Sequence, residues 1–82
     1  MEQEVGKVIH YYDRAGVAVV RLSDALLVGD KIKVSRGDSA FEDTVSSMQV
    51  EHAAVSSGKA GEEVAIKISQ PTKEGAQVVK LA

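Results

Sequence analysis

FEDTVSSMQVEHAAV, residues 41 to 55, is the stretch on which the fold turns. Val45, Met48, His52 and Val55 fall at offsets of three, seven and ten, the spacing of one helical face. Against this, Thr44, Val45, Val50 and Val55 are β-branched, and such side chains lose rotamer freedom in a helix but suit a pleated surface. No strong cap marks a helix start, and the flanking pieces read as strands. The stretch is therefore expected to be one long bent strand with a bulge near Ser46-Ser47, and the chain to be all-β.

Working towards the N-terminus, Ser35 to Ser39 contains Arg36-Gly37-Asp38 and reads as a hairpin tip. An adhesion role for that tripeptide is set aside, because no export signal accompanies it. Before it, Leu26 to Val34 places Gly29-Asp30 as a turn ahead of Lys31, Ile32, Lys33 and Val34, a polar/apolar alternation with Ile32 and Val34 inward. Val17 to Leu22 alternates in the same way, with Ala18, Val20 and Leu22 on the core face and Val17, Val19 and Arg21 on the other. Glu4 to Tyr12 is rich in β-branched and aromatic residues and ends at the turn Asp13-Arg14-Ala15-Gly16. Towards the C-terminus, Ser56 to Gly61 is a loop, and Glu62 to Ser69 is a strand with Val64, Ile66 and Ile68 inward and Ala65 and Lys67 outward. Pro71 to Gly75 is a turn, and Gln77 to Leu81 is a closing strand with Val79 and Leu81 inward.

Six antiparallel strands with turns every eight to twelve residues predict a closed β-barrel, since closure removes the edges on which small sheets aggregate. Leu27 and Val45 complete the expected core, and small aliphatic side chains filling a narrow lumen leave no room for an internal ligand. The 82 residues hold one core, so residues 1–82 are expected to form a single barrel domain spanning 4–81. At 44% hydrophobic and 27% charged, the composition is that of an ordered globular domain. The longest apolar run, Gly16 to Val20, is far short of the roughly 20 residues a helix needs to cross a bilayer. A formal charge of −2 is too balanced for a dedicated nucleic-acid binder, and DNA is not an expected partner. The absence of cysteine excludes disulfides and thiolate metal sites and fits a reducing compartment. The acidic opening Met-Glu-Gln-Glu does not resemble an export signal, so the cytoplasm is the expected location.

The ordered signals Val5-Gly6-Lys7-Val8, Leu26-x-Val28-Gly29-Asp30-x-Ile32, Val45-x-x-Met48, Ala60-Gly61-Glu62-x-Val64-x-Ile66 and Glu74-Gly75 resemble domain 2 of the translational GTPases, the β-barrel of elongation factor Tu. The resemblance runs from about Glu4 to Leu81. The chain is most similar to small stand-alone translation elongation factor-like proteins, which carry this barrel without a GTPase domain; a related barrel is appended to some collagenase-like peptidases. In the elongation factor an Arg ahead of the Gly-x-Val and a Glu after the Val-x-x-Val help seat aminoacylated tRNA. Val5 and Gln49 stand at those places here, so the resemblance implies the fold and not a tRNA pocket.

The phosphate-cradling G-x-x-x-x-G-K-[ST] loop is absent, so the chain alone is not a GTPase. His10 and His52 lack further metal ligands, and Glu51 points away from His52 on a strand, so both histidines are expected at the surface. Glu62-Glu63 and Glu42-Asp43 are neighbours in sequence without the pocket that acid–base catalysis requires. No cofactor and no catalytic residue are expected, which leaves binding. Arg21, Lys31, Lys33 and Lys67 all point outward and would form a basic stripe if the second and third strands were neighbours, though the same residues serve as ordinary solubilising charge. Of Tyr11 and Tyr12 one must face outward, where it could stack on a base or anchor a partner. The expected function is a non-catalytic translation-factor-like binding module contacting the ribosome, RNA or a tRNA-related complex. The alternative is a protein–protein adaptor unrelated to RNA, similar to the barrels appended to peptidases.

Overall fold

The computed structural model describes residues 2–51 and 53–81. His52, which belongs to the helical spacing above and is an expected surface histidine, lies outside the described residues. Every regular element among the described residues is a strand: β1 (Glu2–Tyr12), β2 (Val17–Leu22), β3 (Leu26–Leu27), β4 (Lys31–Arg36), β5 (Ser39–Thr44), β6 (Met48–Val50), β7 (Ala53–Val55), β8 (Ser57–Gly58), β9 (Glu63–Lys67) and β10 (Gln77–Leu81). Eight of them form one antiparallel sheet in the order β5-β4-β10-β1-β2-β9-β6-β7, and β3 and β8 form a separate small ribbon.

The stretch 41–55 is neither a helix nor one bent strand. It is the end of β5, a crossing at 45–47, and the hairpin β6–β7. β5 pairs with β4 at one end of the sheet and β6 with β9 near the other, so one continuous strand could not serve both. The crossing is fixed at Val45, which is buried. Its N–H donates to Asp30 O at 2.9 Å, and its carbonyl accepts from Gly29 N–H at 2.7 Å. The β6–β7 turn is tight enough to put Glu51 at φ 51°, in the left-handed region.

The expected closed barrel is not found. β5 and β7 end the strand order, and no ladder joins them among the described residues. The sheet is nevertheless strongly curled, because inward side chains from β4, β10, β1, β2, β9 and β6 meet in a single apolar cluster. In a flat sheet this wide the strands towards its two ends would lie too far apart to share one core.

Ala18, Val20, Leu22, Ile32, Val34, Val45, Val64, Ile66 and Ile68 are buried as expected. Leu27, Val79 and Leu81 are not. In the ribbon it is Leu26 that is fully buried, while Leu27 is 48% exposed. In β10 the pairing of Val78 with core-facing Val34 turns Val78 inward, leaving Val79 and Leu81 half-buried on the other parity. Either parity of Gln77-Val78-Val79-Lys80-Leu81 presents apolar side chains, so the partner strand settles the choice. Lys80 lies on the inward parity at the end of the core, where its Nζ reaches Asp30 Oδ2 at 3.4 Å. Val5, Val8, Met48 and Ala76 complete the interior.

Two glycines permit this close packing. A Cβ on Gly6 would stand 2.5 Å from the Arg21 carbonyl oxygen, and one on Gly58 would stand 2.6 Å from Leu22 Cδ1 and 2.9 Å from Val64 Cγ1. No helix of the described residues is long and apolar enough to cross a membrane.

Candidate functional site

The outer surface of β1, β2 and β9 is organised by cross-strand register into three rows. Tyr12, Val17 and Lys67 form the first, His10, Val19 and Ala65 the second, and Lys7, Arg21 and Glu63 the third. Gln49 of β6 extends the middle row beside Ala65. This face departs from the usual alternation of an antiparallel sheet, in which outward positions are polar. Val17, Val19 and Ala65 place an apolar strip on the outside of the strands whose other face is core.

The strip is the floor of an open groove of about 740 Å3 that runs from Tyr12 and Ala15 to Gly61. Tyr12 is 52% exposed and lies edge-on to His10, with ring centroids 4.3 Å apart. At the opposite end stand Glu51, Glu62 and Glu63, with Arg21 Nη2 bonded to Glu63 Oε2 at 2.7 Å. Both partners of that pair are well exposed, so it positions the rim more than it stabilises the fold. Glu62 is held in place by accepting the Lys59 N–H through Oε1 at 2.7 Å. The groove is thus aromatic and apolar at one end and acidic at the other.

The structure divides the six residues expected to form a binding surface. Tyr12, Arg21 and Lys67 share this outer face. Lys31 and Lys33 do not, because β4 is separated from β2 by β10 and β1, and the continuous basic stripe is therefore not formed. The stripe required the second and third predicted strands to be neighbours, whereas β2 pairs with β1 and β9. Tyr11 turns the other way, packs against the core, and lines a second groove near Asp13 and Lys73. The outward positions of Val17, Val19 and Ala65 were legible in the alternation; their assembly into one floor depended on which strands pair.

Chemically, the groove offers apolar contact and charge. Among the described residues, no three His, Asp or Glu side chains are grouped so as to hold a metal ion. Asp43, away from the groove, has a lowered pKa. Burial is the largest influence on its carboxyl and favours the neutral form. The Ser69 N–H at 2.6 Å and the Thr44 N–H at 2.8 Å, joined by the Ser69 hydroxyl, together outweigh it. A carboxylate held ionised in this way is a latch between β5 and the segment after β9.

The fold is shared with solved β-domains. The crystal structure of the C-terminal domain of a putative U32 peptidase from Geobacillus thermoleovorans superposes with a TM-score of 0.91 at 17% identity, covering 98% of this chain and 93% of that one. Its selenomethionine variant gives 0.88 at 16% identity, over 93% and 96% of the two chains. Likeness at this identity establishes a shared fold. In sequence, the chain is 34% identical over 79 residues to an uncharacterized protease of Methanocaldococcus jannaschii. The match takes in 95% of this chain but spans only 19% of the length of that relative. No family model matches the sequence.

These findings overturn the resemblance to domain 2 of the translational GTPases, and with it the reading as a translation elongation factor-like module. The signals that carried the resemblance were mostly turns. Gly29, Gly61 and Gly75 have φ of 99°, 89° and 91°, values that call for glycine in any β-fold making those turns. Such signals report turn chemistry and do not identify a lineage.

Proposed function

We propose that this chain is a non-catalytic docking domain of a U32-type peptidase, with the groove over Val17, Val19 and Ala65 as its contact face. The observation that carries this reading is a protease relative that matches 95% of the chain with only 19% of its own length, the proportion expected of an appended domain. The crystallised C-terminal domains of putative U32 peptidases, which share the fold, support the same reading. An apolar floor with charged margins is the make-up of a protein-contact surface. On this proposal the partner is the peptidase itself and not RNA, and the site is intracellular, in keeping with the cysteine-free sequence. The whole chain acts as one unit built round a single apolar core.

The test is an exchange in the Methanocaldococcus jannaschii protease. Deleting the homologous segment should lower peptide hydrolysis, grafting this chain in its place should restore it, and the graft carrying Val19→Asp should behave like the deletion. A deletion that leaves hydrolysis, KM and thermal stability unchanged would overturn the docking role. Peptide hydrolysis by the isolated chain would overturn its non-catalytic character.

A further inference from the structure

Another concavity, sharing no lining residue with the docking groove, lies where the β4–β5 hairpin meets the segment before β10. It is a cleft of about 280 Å3 whose floor is Val34, Phe41 and Pro71 and whose walls include Ser39 and Thr72. Val34 is buried in the core and Phe41 packs against it, so the floor is rigid. Arg36 and Lys73 flank the opening, and no carboxylate lines it. Neither cation makes an ion pair among the described residues, although the chain as a whole has a formal charge of −2. Arg36 is tethered by its Nε, which donates to the Glu74 carbonyl at 3.4 Å, leaving both terminal nitrogens of the guanidinium for another acceptor.

We propose that this cleft binds the C-terminal carboxylate of a peptide whose last side chain is apolar. Two cations that make no ion pair among the described residues, beside two hydroxyls, call for an anion, and the planar Arg fork fits a carboxylate in bidentate fashion. The apolar floor requires that the anion carry a hydrocarbon group. The volume lies just below the range for drug-sized ligand clefts, roughly 300–1,000 Å3, which suits one terminal residue better than a nucleotide. Capture of a chain end by its carboxylate is a recurring mode of peptide recognition. A continuing groove of about 630 Å3 shares Arg36, Pro71, Thr72 and Lys73 with the cleft and runs past Tyr11, Asp13 and Glu74. It supplies a track for the residues that precede the terminus, with carboxylates where a backbone N–H needs an acceptor. The cleft is separate from the docking groove, so its failure would leave that reading intact.

The experiment is a 15N-edited NMR titration of the full chain with N-acetyl-Ala-Leu as the free acid, the same dipeptide as its C-terminal amide, and inorganic phosphate. The free acid should shift the amides of Arg36, Ser39, Thr72 and Lys73 saturably, with a Kd on the order of millimolar. The amide should bind about tenfold more weakly or worse, as should Arg36→Gln with the free acid. Arg36→Lys should recover only part of the loss, because it keeps the charge without the fork. Equal shifts from acid and amide would overturn the proposal. So would phosphate saturating the cleft where the free acid does not, or peptide shifts centred on Val19 and Ala65.

Discussion

Gly6 and Gly58 both lack room for a methyl group, but the neighbours that exclude it differ in their ability to move. At Gly58 the obstacles are side-chain carbons of Leu22 and Val64, both buried, which can shift by tenths of an ångström at the expense of their own packing. Gly58→Ala should therefore cost about 1–3 kcal/mol, the usual range for overpacking a core. At Gly6 the obstacle at 2.5 Å is the backbone carbonyl of Arg21, held in the β1–β2 ladder, so relief requires separating two central strands. Gly6→Ala should be the more destabilising of the two in urea or thermal denaturation. The opposite ranking would show that the β1–β2 contact is looser than described. The sequence shows both glycines, but nothing in it distinguishes these two, which exist for close approach, from the glycines that exist for turns.

At the scale of elements, the Asp43 latch joins β5, an end strand of the sheet, to the segment that follows β9. The sign of its pH dependence follows from the direction of the shift. The folded carboxyl titrates below the ordinary aspartate value of about 3.9, so its stabilisation is complete above that value. It is then lost as the pH falls through the lower, folded value. Asp43→Asn should lower Tm by a few degrees at neutral pH, with the gap to the native chain closing only below about pH 4. A gap that is constant down to the acid limit would mean that the charge at Asp43 contributes nothing. Register is the other property settled at this scale. The alternation from Val17 to Leu22 and from Lys31 to Val34 could be read directly, because only one parity there is apolar. At Leu26-Leu27 and Val78-Val79 both parities are apolar, and the inward side chain was set by pairing with Gly58 and Val34.

For the molecule as a whole, the two faces of β2 make opposite demands. Val20 is fully buried in the common core, whereas Val19, its neighbour, is half-buried on the floor of the outer groove. Val20→Asp should abolish cooperative folding by placing an unpaired carboxylate in the interior. Val19→Asp should leave the circular dichroism spectrum intact and change stability by no more than about 1 kcal/mol. If Val19→Asp unfolds the chain, the groove is part of the core and not a contact face. By itself, the sequence determined an all-β chain, most of its turns and most of its interior, because β-branched alternation and the positive φ required at turns are local properties carried by a few adjacent residues. Only the tertiary structure decided that 41–55 crosses from one end of the sheet to the other, that β2 lies beside β9 and not β4, and that Tyr12, Val19 and Arg21 share a groove from which Lys31 and Lys33 are excluded. Those outcomes depend on strand order, which is chosen by the burial of many side chains at once and leaves no mark on any short stretch of residues.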